Sequence, residues 1–415
     1  MTTASPTVFL HIGAMKTGTT YLQQVLTQNK DALAARGFLF PGATWNDQVR
    51  AAHDALGHHR ESGVRSQAEG AWSALADEML AFDGAASIFS VEFLSFAGPA
   101  AARRLVNDLE AAEIHVVVTV RDTSEVLPAL WQTHCANGGT ASWPAFARSS
   151  RLGAGSGPAA ALLGQGARLF RRALDVPRII EVWRTVVPPE RLHVVTVPPP
   201  GSPRDLLWRR FASVLGLDPA VATNPPEGHN PSLGYPSADL MRRLNAELGR
   251  LPREEYNPTL KHYLAEEVLA ERAGAESRAQ LDTRTHEFAV RWNQRTRTAL
   301  EASGANIAGD LGDLPVRASA DPALSAIPLP EAPDVLDAAD TALEGMERLL
   351  RRRSRRIRNL GGEKVLAQTG RRQSATQVRR AWESAADPVK TAVADLAQTC
   401  RLAISLQQQI RQLRG

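Results

Sequence analysis

Short apolar runs alternate with helical patterns along the first half of the chain. Four such runs each predict a strand: Val8–Ile12, Ala86–Val91, Ile114–Val120 and Leu192–Val197. Ile114–Val120 consists almost wholly of β-branched residues, which predicts a buried central strand. From Thr19 onward, apolar residues recur at the spacing of a helix. Strands that alternate with helices predict an α/β fold, a parallel β-sheet flanked by helices.

The second half of the chain is mainly helical in pattern. Residues 136–168 are rich in Gly, Ser and Ala without a clear period, which predicts a long loop or lid over a site. Proline recurs from Pro315 to Pro333 and predicts a linker. Helices are predicted over 124–134, 175–187, 204–215, most of 231–300, 335–360 and 374–412. The predicted division is an α/β domain over 1–305, a Pro-containing linker over 306–334 and a basic helical extension over 335–415.

Composition and length point to a soluble, intracellular protein. The chain has 415 residues, 43% of them hydrophobic, which is enough for a sizeable core. It contains no apolar run long enough to span a membrane, and its start lacks the pattern of a secretion signal. Two distant cysteines, Cys135 and Cys400, predict neither a disulfide framework nor a metal cluster. We therefore expect a cytoplasmic protein, with a peripheral position at a membrane as the alternative.

Charge is distributed unevenly. The net charge is +4, yet Arg348–Gly415 holds 16 basic against 4 acidic residues, so the preceding residues carry a net −8. Lysine is scarce: only five of the 48 basic residues are lysines, and one of them, Lys16, follows the first predicted strand. A lysine kept in a chain that otherwise prefers arginine indicates a place where a guanidinium does not fit.

The loop around Lys16 has the composition of an anion-binding turn. It lies between a strand and a helix, where backbone N–H groups and the positive helix end cradle a phosphate. Gly13 and Gly18 permit a tight turn and close approach of a ligand, and Lys16 supplies a compact cation. An ordinary glycine-containing turn is the alternative. The predicted hydroxyl donors to phosphate oxygens are Thr17, Thr19 and Thr20.

The order of residues in this loop does not match the Walker A pattern, because the lysine precedes the second glycine. Lys16-Thr17-Gly18-Thr19-Thr20-Tyr21 instead resembles the loop of sulfotransferases, including bacterial ones, that use 3'-phosphoadenosine-5'-phosphosulfate (PAPS). The resemblance covers about residues 7–300. It implies a P-loop-like, nucleotide-binding transferase in which this loop holds the 5'-phosphosulfate, Lys16 stabilises the leaving phosphate, and Tyr21 stacks on adenine.

The same resemblance assigns the 3'-phosphate of the donor to the end of the third predicted strand. Arg121 stands where the family has an arginine for this phosphate. Ala129 stands where the family often has a serine, so Ser124 or Thr123 is the expected substitute. A structural ion pair with Asp122 or with a helix end is the alternative for Arg121.

A candidate base follows the second predicted strand. Ser90-Val91-Glu92-Phe93-Leu94-Ser95 is similar to a segment of bacterial members of the superfamily, and Glu92 is the predicted base that accepts the acceptor's hydroxyl proton. Pairing of Glu92 with Lys16 or an arginine is the alternative. Three further histidines are second candidates for the base: His11, His53 and His134.

The Lys16 loop, Glu92 and Arg121 all follow strands, and ligands of open parallel sheets bind at that edge. Together with this position, the resemblance to the sulfotransferases implies sulfuryl transfer from PAPS to a hydroxyl of a glycan, glycolipid or small molecule, with no metal required. The acceptor would be selected by the 42–70 and 136–168 segments. One rival is a P-loop kinase or NTPase that uses Asp122 for Mg²⁺; another is a non-catalytic member that binds a nucleotide or glycan.

The basic extension predicts separate contacts. Arg351–Arg358 contains six arginines in eight positions, which suits an anionic lipid, nucleic acid or acidic glycan. A solvated helix face that also packs on the acidic part of the chain is the alternative. Apolar residues between Val378 and Leu413 predict helix pairing or a homo-oligomer. No motif for sequence-specific nucleic-acid recognition is present.

Overall fold

A computed structural model describes residues 5–57, 68–154, 159, 162–224, 232–317, 325–362 and 375–414. Parts of the predicted 42–70 and 136–168 segments and of the proline linker lie outside these residues. The chain divides into two compact units. The first comprises Met1–Leu127, Arg148–Asn230 and Asp282–Ala323, and the second comprises Pro128–Ala147, Pro231–Leu281 and Leu324–Gly415.

The described residues form six strands and sixteen α-helices. The strands are β1 (Thr7–Gly13), β2 (Phe38–Leu39), β3 (Ala86–Ser90), β4 (Glu113–Val120), β5 (Leu192–Thr196) and β6 (Asn306–Ala308). The helices are α1 (Thr19–Gln28), α2 (Lys30–Ala34), α3 (Trp45–Ala55), α4 (Ala71–Leu80), α5 (Pro99–Asn107), α6 (Thr123–Ala136), α7 (Trp143–Gly153), α8 (Gln165–Ala173), α9 (Val176–Trp183), α10 (Leu206–Leu215), α11 (Tyr235–Leu248), α12 (Arg253–Tyr256), α13 (Thr283–Ser303), α14 (Ala332–Asn359), α15 (Ala375–Glu383) and α16 (Pro388–Gln412). A 3-10 helix covers Glu92–Phe96 and a π-helix covers Asn257–Leu269.

The six strands form one parallel sheet in the order β2-β3-β1-β4-β5-β6. This confirms the predicted α/β fold, and β4 occupies the centre beside β1, as its β-branched sequence predicted. The sequence pattern missed β2 and β6, which are only two and three residues long. Because all strands run in one direction, the residues that follow β1, β3 and β4 meet at one edge of the sheet.

Helices cover both faces of the sheet in the first unit. Side chains alternate along β1, so that Leu10 belongs to one buried cluster and Phe9 to the other. Helix α1 buries Leu22, Val25 and Leu26 against the Phe9 side, on the face that its apolar spacing predicts. Two apolar layers therefore fix the sheet from both sides and hold its carboxyl-terminal edge in place.

The observed organisation differs from the predicted one in two places. Residues 136–168 are not a structureless lid, because α7 lies within them and buries Trp143, Phe146 and Ala147 at helical spacing. The predicted linker begins inside the first unit: β6 pairs with β5, and Asn306 lies beside His193 in the register. Both differences come from short apolar patterns that Gly, Ser and Pro neighbours obscure in the sequence.

The second unit is helical, and it joins the basic extension to Pro128–Ala147 and Pro231–Leu281, two segments of the predicted α/β domain. The predicted helical region 231–300 is thus divided between the units, with α13 in the first. Helix α14 packs along α16, and the apolar residues of both helices are buried there. The predicted helix pairing is thus found within one chain, while a homo-oligomer stays a prediction. The predicted final helix is divided by a break between Glu383 and Pro388. Among the described residues, no helix is both long and apolar enough to cross a membrane.

Candidate functional site

The loop between β1 and α1 has an unusual backbone. Gly13, Lys16 and Gly18 have φ angles of 81°, 62° and 80°, and Lys16 is the only non-glycine residue with a positive φ in the part of the chain that the structure describes. Left-handed residues in such a turn are typical of loops whose N–H groups converge on an anion. No side-chain hydrogen bond caps the first turn of α1 at Gly18 within the described residues, so its N–H groups remain suited to an anion.

A side chain would be strained at both glycines of this loop, because both have a positive φ. A Cβ on Gly13 would lie 2.8 Å from Cβ of Glu92, and one on Gly18 would lie 2.4 Å from Cδ2 of Leu207. The first of these contacts brings the loop directly against the candidate base. Two of the predicted site segments therefore meet at the carboxyl-terminal edge of the sheet, as the sequence expected.

The threonines of the loop differ in burial and in hydrogen bonding. Thr17 is 2% exposed, and its hydroxyl donates to the Ala14 carbonyl at 2.5 Å and lies 2.5 Å from the Thr119 hydroxyl. Because this hydroxyl already forms hydrogen bonds within the loop, the backbone N–H is the group of Thr17 that can donate to an anion. Thr19 is buried and Thr20 half-buried at the start of α1.

Tyr21 is half-buried at the margin of the Phe9 cluster. Burial raises the pKa of its phenol, and the nearby charge of Asp205 raises that pKa further. The phenol is therefore neutral at ordinary pH and its ring remains suited to apolar contact. Stacking of this ring on a base stays a prediction.

Glu92 is oriented by a residue that the sequence did not indicate. It follows β3 and begins the short 3-10 helix, and its Oε2 accepts a hydrogen bond of 2.9 Å from Nε2 of Gln23. The same Nε2 also donates to the Ser90 carbonyl at 3.1 Å, so two hydrogen bonds fix the position of the Gln23 amide. Helix α1 thus begins at the Lys16 loop and also carries the hydrogen-bond partner of the candidate base.

Beneath the loop, a buried network connects the strands. His11 is fully buried; its Nδ1 lies 2.7 Å from Oγ of Ser90, and its Nε2 lies 3.5 Å from Oγ1 of Thr119. Burial lowers the pKa of this imidazole to about 3. His11 is therefore a neutral structural residue that faces the core, which corrects its assignment as a second candidate base.

The other two histidines lie apart from this network. His53, on α3, packs against the Phe93 ring with 5.3 Å between ring centres. His134 belongs to the second unit and packs against Phe146, also at 5.3 Å. Ala129, at the position where the family often has a serine, also belongs to the second unit.

Arg121 stands at the end of β4 and pairs with the first turn of the next helix. Its Nη2 lies 3.2 Å from Oε2 of Glu125, an exposed pair of the kind that contributes little to stability. The alternative drawn from the sequence, an ion pair at a helix end, is thus present, although with Glu125 and not with Asp122. Part of the guanidinium remains open to solvent, because the side chain is 30% exposed.

Asp122 is fully engaged in hydrogen bonds. Its carboxylate accepts from the Ser124 N–H at 3.0 Å, from the Ser124 hydroxyl, and from Nδ2 of Asn293 at 2.7 Å. Asn293 also accepts from the Thr123 N–H at 3.0 Å. Ser124 therefore stabilises the turn at the start of α6 through its hydrogen bonds to Asp122. Asn293 links α13 to this edge of the sheet. Only the fold brings Asn293 here, since it lies far along the chain.

A pocket opens beside the loop. Thr17, Arg121 and Thr123 line it from the loop and from the end of β4, and Trp292 and Thr296 line it from α13. The structure thus brings Arg121 and the Lys16 loop to one cavity, with Glu92 against Gly13 at the same edge. No protein-family model, no curated protein and no solved structure matches this chain.

Proposed function

We propose that this protein is a sulfotransferase that moves a sulfuryl group from PAPS to a hydroxyl group of a glycan, glycolipid or small molecule. One observation carries the proposal. The turn around Lys16 has left-handed residues at three positions, Gly13 of that turn contacts Glu92, and the pocket beside it contains Arg121. Residues of the Lys16 loop and Arg121 thus line one small pocket, and Glu92 lies against Gly13 of the same loop, which supports in-line transfer from an anionic donor.

The residues present fit this donor. The turn offers backbone N–H groups and the free first turn of α1 to the 5'-phosphosulfate, with Lys16 beside them. The partly open guanidinium of Arg121 suits the 3'-phosphate, and Ser124 and Thr123 lie next to it, although the Ser124 hydroxyl already donates to Asp122. The donor supplies a sulfuryl group that is activated by its bond to a phosphate.

The chain's own groups then have distinct tasks. Glu92, held by Gln23, accepts the hydroxyl proton as the acceptor oxygen bonds to sulfur. The bond between sulfur and the phosphate oxygen breaks, and its electron pair stays on that oxygen, where Lys16 stabilises the charge. His11, neutral and buried, only supports the strands below.

The kinase or NTPase alternative is less well supported. Its candidate metal ligand, Asp122, accepts three hydrogen bonds from Ser124 and Asn293. A carboxylate engaged in this way positions a helix start and a neighbouring helix, so it would have to leave both to bind Mg²⁺. A non-catalytic member of the same fold would retain the loop and lose turnover.

Calorimetric titration of the full chain separates these functions. The ligands are adenosine 3',5'-bisphosphate, the desulfated donor, and ATP, each with and without Mg²⁺. We expect metal-independent binding of the bisphosphate that weakens in Lys16→Ala and in Arg121→Ala. Binding of ATP only with Mg²⁺ would support the kinase alternative and overturn the proposal. Tight bisphosphate binding without sulfuryl transfer to any acceptor would identify the non-catalytic case.

A further inference from the structure

The pocket beside the Lys16 loop combines one cation and two free hydroxyl groups with apolar walls. Arg121, Thr123 and Thr296 supply the cation and the hydroxyls. Thr17 also lines the pocket, but its hydroxyl already forms hydrogen bonds within the loop. No described acidic residue lines the pocket, and its remaining lining residues are apolar: Ala14, Val126, Leu174, Val176 and Trp292. Donors in an apolar surrounding favour a ligand oxygen, and the cation favours an anionic one.

The hydroxyls of Thr123 and Thr296 are not used by the protein. These residues are only 6% and 4% exposed, yet neither hydroxyl forms a hydrogen bond to another described residue. Neither hydroxyl belongs to the fully occluded polar atoms that lack a partner in the described ranges, so both keep some accessible surface. Buried polar groups are nearly always hydrogen-bonded in native proteins. We therefore expect a ligand or water oxygen between these two hydroxyls.

The hydroxyl of Thr296 differs from those of other threonines in helices. A threonine inside a helix can donate to the carbonyl four residues earlier. Five threonines of this chain form that bond: Thr27, Thr133, Thr341, Thr391 and Thr399. Thr296 lies inside α13 but donates to none of the described carbonyl groups. Its hydroxyl is thus available to the pocket and not to the helix.

Asn293 fixes α13 against the end of β4. Its Nδ2 donates to Asp122 at 2.7 Å, and its Oδ1 accepts from the Thr123 N–H at 3.0 Å. Thr296 lies three residues further along α13, and residues with this spacing share one face of a helix. The contact made by Asn293 therefore holds Thr296 in the wall that Thr123 and Arg121 also line.

The size of the pocket limits what can enter it. Its volume of about 20 Å³ suits a single oxygen-sized group and excludes an adenine ring or a sugar. Both threonines are buried, whereas the Arg121 side chain is 30% exposed and so lies nearer to solvent. A phosphate bound by Arg121 can thus place one oxygen in the pocket, where the two hydroxyls donate to it.

We propose that Thr296 and Thr123 recognise the 3'-phosphate of the donor together with Arg121, and that the two hydroxyls make the protein selective for a nucleotide with this group. The inference rests on the proposed sulfotransferase function and adds specificity-determining residues to it. Thr296, which no sequence motif indicated, then has the task of the serine that is absent at Ala129. A site built to hydrogen-bond one ligand group rejects an analogue without that group, because its donors are left unpaired.

The test is calorimetry on the full chain with three nucleotides: adenosine 3',5'-bisphosphate, adenosine 2',5'-bisphosphate and AMP. The measured quantity is the ratio of the dissociation constants of AMP and of the 3',5'-bisphosphate. Thr296→Val and Thr123→Val each remove a hydroxyl and keep the shape of the side chain, whereas Thr296→Ser and Thr123→Ser keep the hydroxyl. Thr298→Val is the matched control, since Thr298 is an exposed threonine of the same helix.

We expect the wild-type chain to bind the 3',5'-bisphosphate about a hundredfold more tightly than AMP or the 2',5'-bisphosphate. Each valine variant should reduce this ratio about tenfold, because it loses one hydrogen bond to a charged group. The serine variants and Thr298→Val should keep the ratio. AMP affinity should change little in every variant. Both ligands are compared on the same folded protein, so a general loss of stability does not alter the ratio.

An unchanged ratio in the valine variants would overturn the inference, and the pocket would then hold only water. A ratio lost in Ser124→Ala alone would assign the task to that serine and would also overturn it. If one valine variant does not fold, the variants at the other threonine decide.

Failure of the proposed function gives a different result. A wild-type chain that binds none of the three nucleotides has no donor site, so both the sulfotransferase proposal and this inference would fall. Tight binding of the 3',5'-bisphosphate that is weakened by Lys16→Ala but not by either valine variant would reject the inference alone. Equal binding of the two bisphosphates would likewise reject only the recognition of the 3'-position.

Discussion

Two cationic regions of this chain are built in opposite ways. At the carboxyl-terminal edge of the sheet, the Lys16 loop and Arg121 follow two different strands, and they line one pocket, the loop through Ala14 and Thr17, only after the sheet forms. On α14, six arginines follow one another within eight positions, and all but Arg353 are exposed. The first arrangement has defined geometry and suits catalysis, whereas the second is a charged surface.

Arg353 shows what distinguishes the two kinds of cation. Its guanidinium donates to the Thr259 hydroxyl at 3.1 Å and to the Ala403 carbonyl at 2.5 Å, inside the second unit. Burial, together with the charge of Arg352, lowers its pKa to about 10. This arginine joins helices, so the surface available to a partner consists of its exposed neighbours. The number of arginines in a charged run of sequence can therefore exceed the number that a partner can contact.

The largest expected effect is that of Lys16→Ala on turnover. Loss of the cation beside the leaving phosphate should lower the rate of sulfuryl transfer about a thousandfold, as removal of a single stabilising donor does elsewhere. Thermal stability should change little, because Lys16 is only half-buried. Rates with radiolabelled PAPS measure this. Lys30→Ala is the control, since Lys30 donates to the Gly42 carbonyl away from the loop; an equal loss in both variants would reject a special role for Lys16.

Glu92→Gln should have the next largest effect. A general base contributes about a hundredfold or more, so turnover should fall by that factor while bisphosphate affinity stays unchanged. Glu110→Gln, a change at an exposed position beyond α5, is the control and should retain full activity. Full activity of Glu92→Gln would exclude Glu92 as the base and leave it as the partner of Gln23.

A third prediction concerns acid stability and the buried His11. Its folded-state pKa is about 3, below the unfolded value of 6.5, so the folded state excludes a proton that the unfolded state binds. The neutral imidazole therefore contributes fully above pH 6.5, and its contribution falls as the pH drops toward 3. The slope is about 1.4 kcal/mol per pH unit at most.

Urea unfolding at pH 7, 5.5 and 4 tests this difference. His11→Gln should be less stable at pH 7, because the hydrogen bond to Ser90 is altered, but should lose less stability on acidification than the wild type. Parallel losses in the two proteins would show that acidification acts through other groups.

The smallest effect is expected on α14. Arg355→Gln/Arg356→Gln should leave turnover unchanged and weaken binding to vesicles of phosphatidylserine and phosphatidylcholine by about 1 kcal/mol for each arginine. Both side chains are exposed. Co-sedimentation measures the binding, with Arg36→Gln/Arg103→Gln as the control of equal charge. Identical binding of all three proteins would indicate a solvated helix face with no preference for an anionic surface.

The sequence anticipated the fold because its main signals are local. Short apolar runs predicted β1, β3, β4 and β5, and helical spacing predicted α1, α10 and most helices of the second half. These patterns depend on burial period and backbone preference within a few residues. The sequence pattern did not predict β6, because three residues are too few to show a hydrophobic period. They form a strand only because β5 offers them hydrogen bonds.

By itself, the sequence determined the α/β architecture, the Lys16 turn and the positions of Glu92 and Arg121 after strands. The tertiary structure alone decided their partners. Gln23 reaches Glu92 across 69 residues, and Asn293 reaches Asp122 across 171. Turns and strands follow from neighbouring residues, but the environment of a site is set by elements distant in sequence, and packing of the whole sheet brings those elements together.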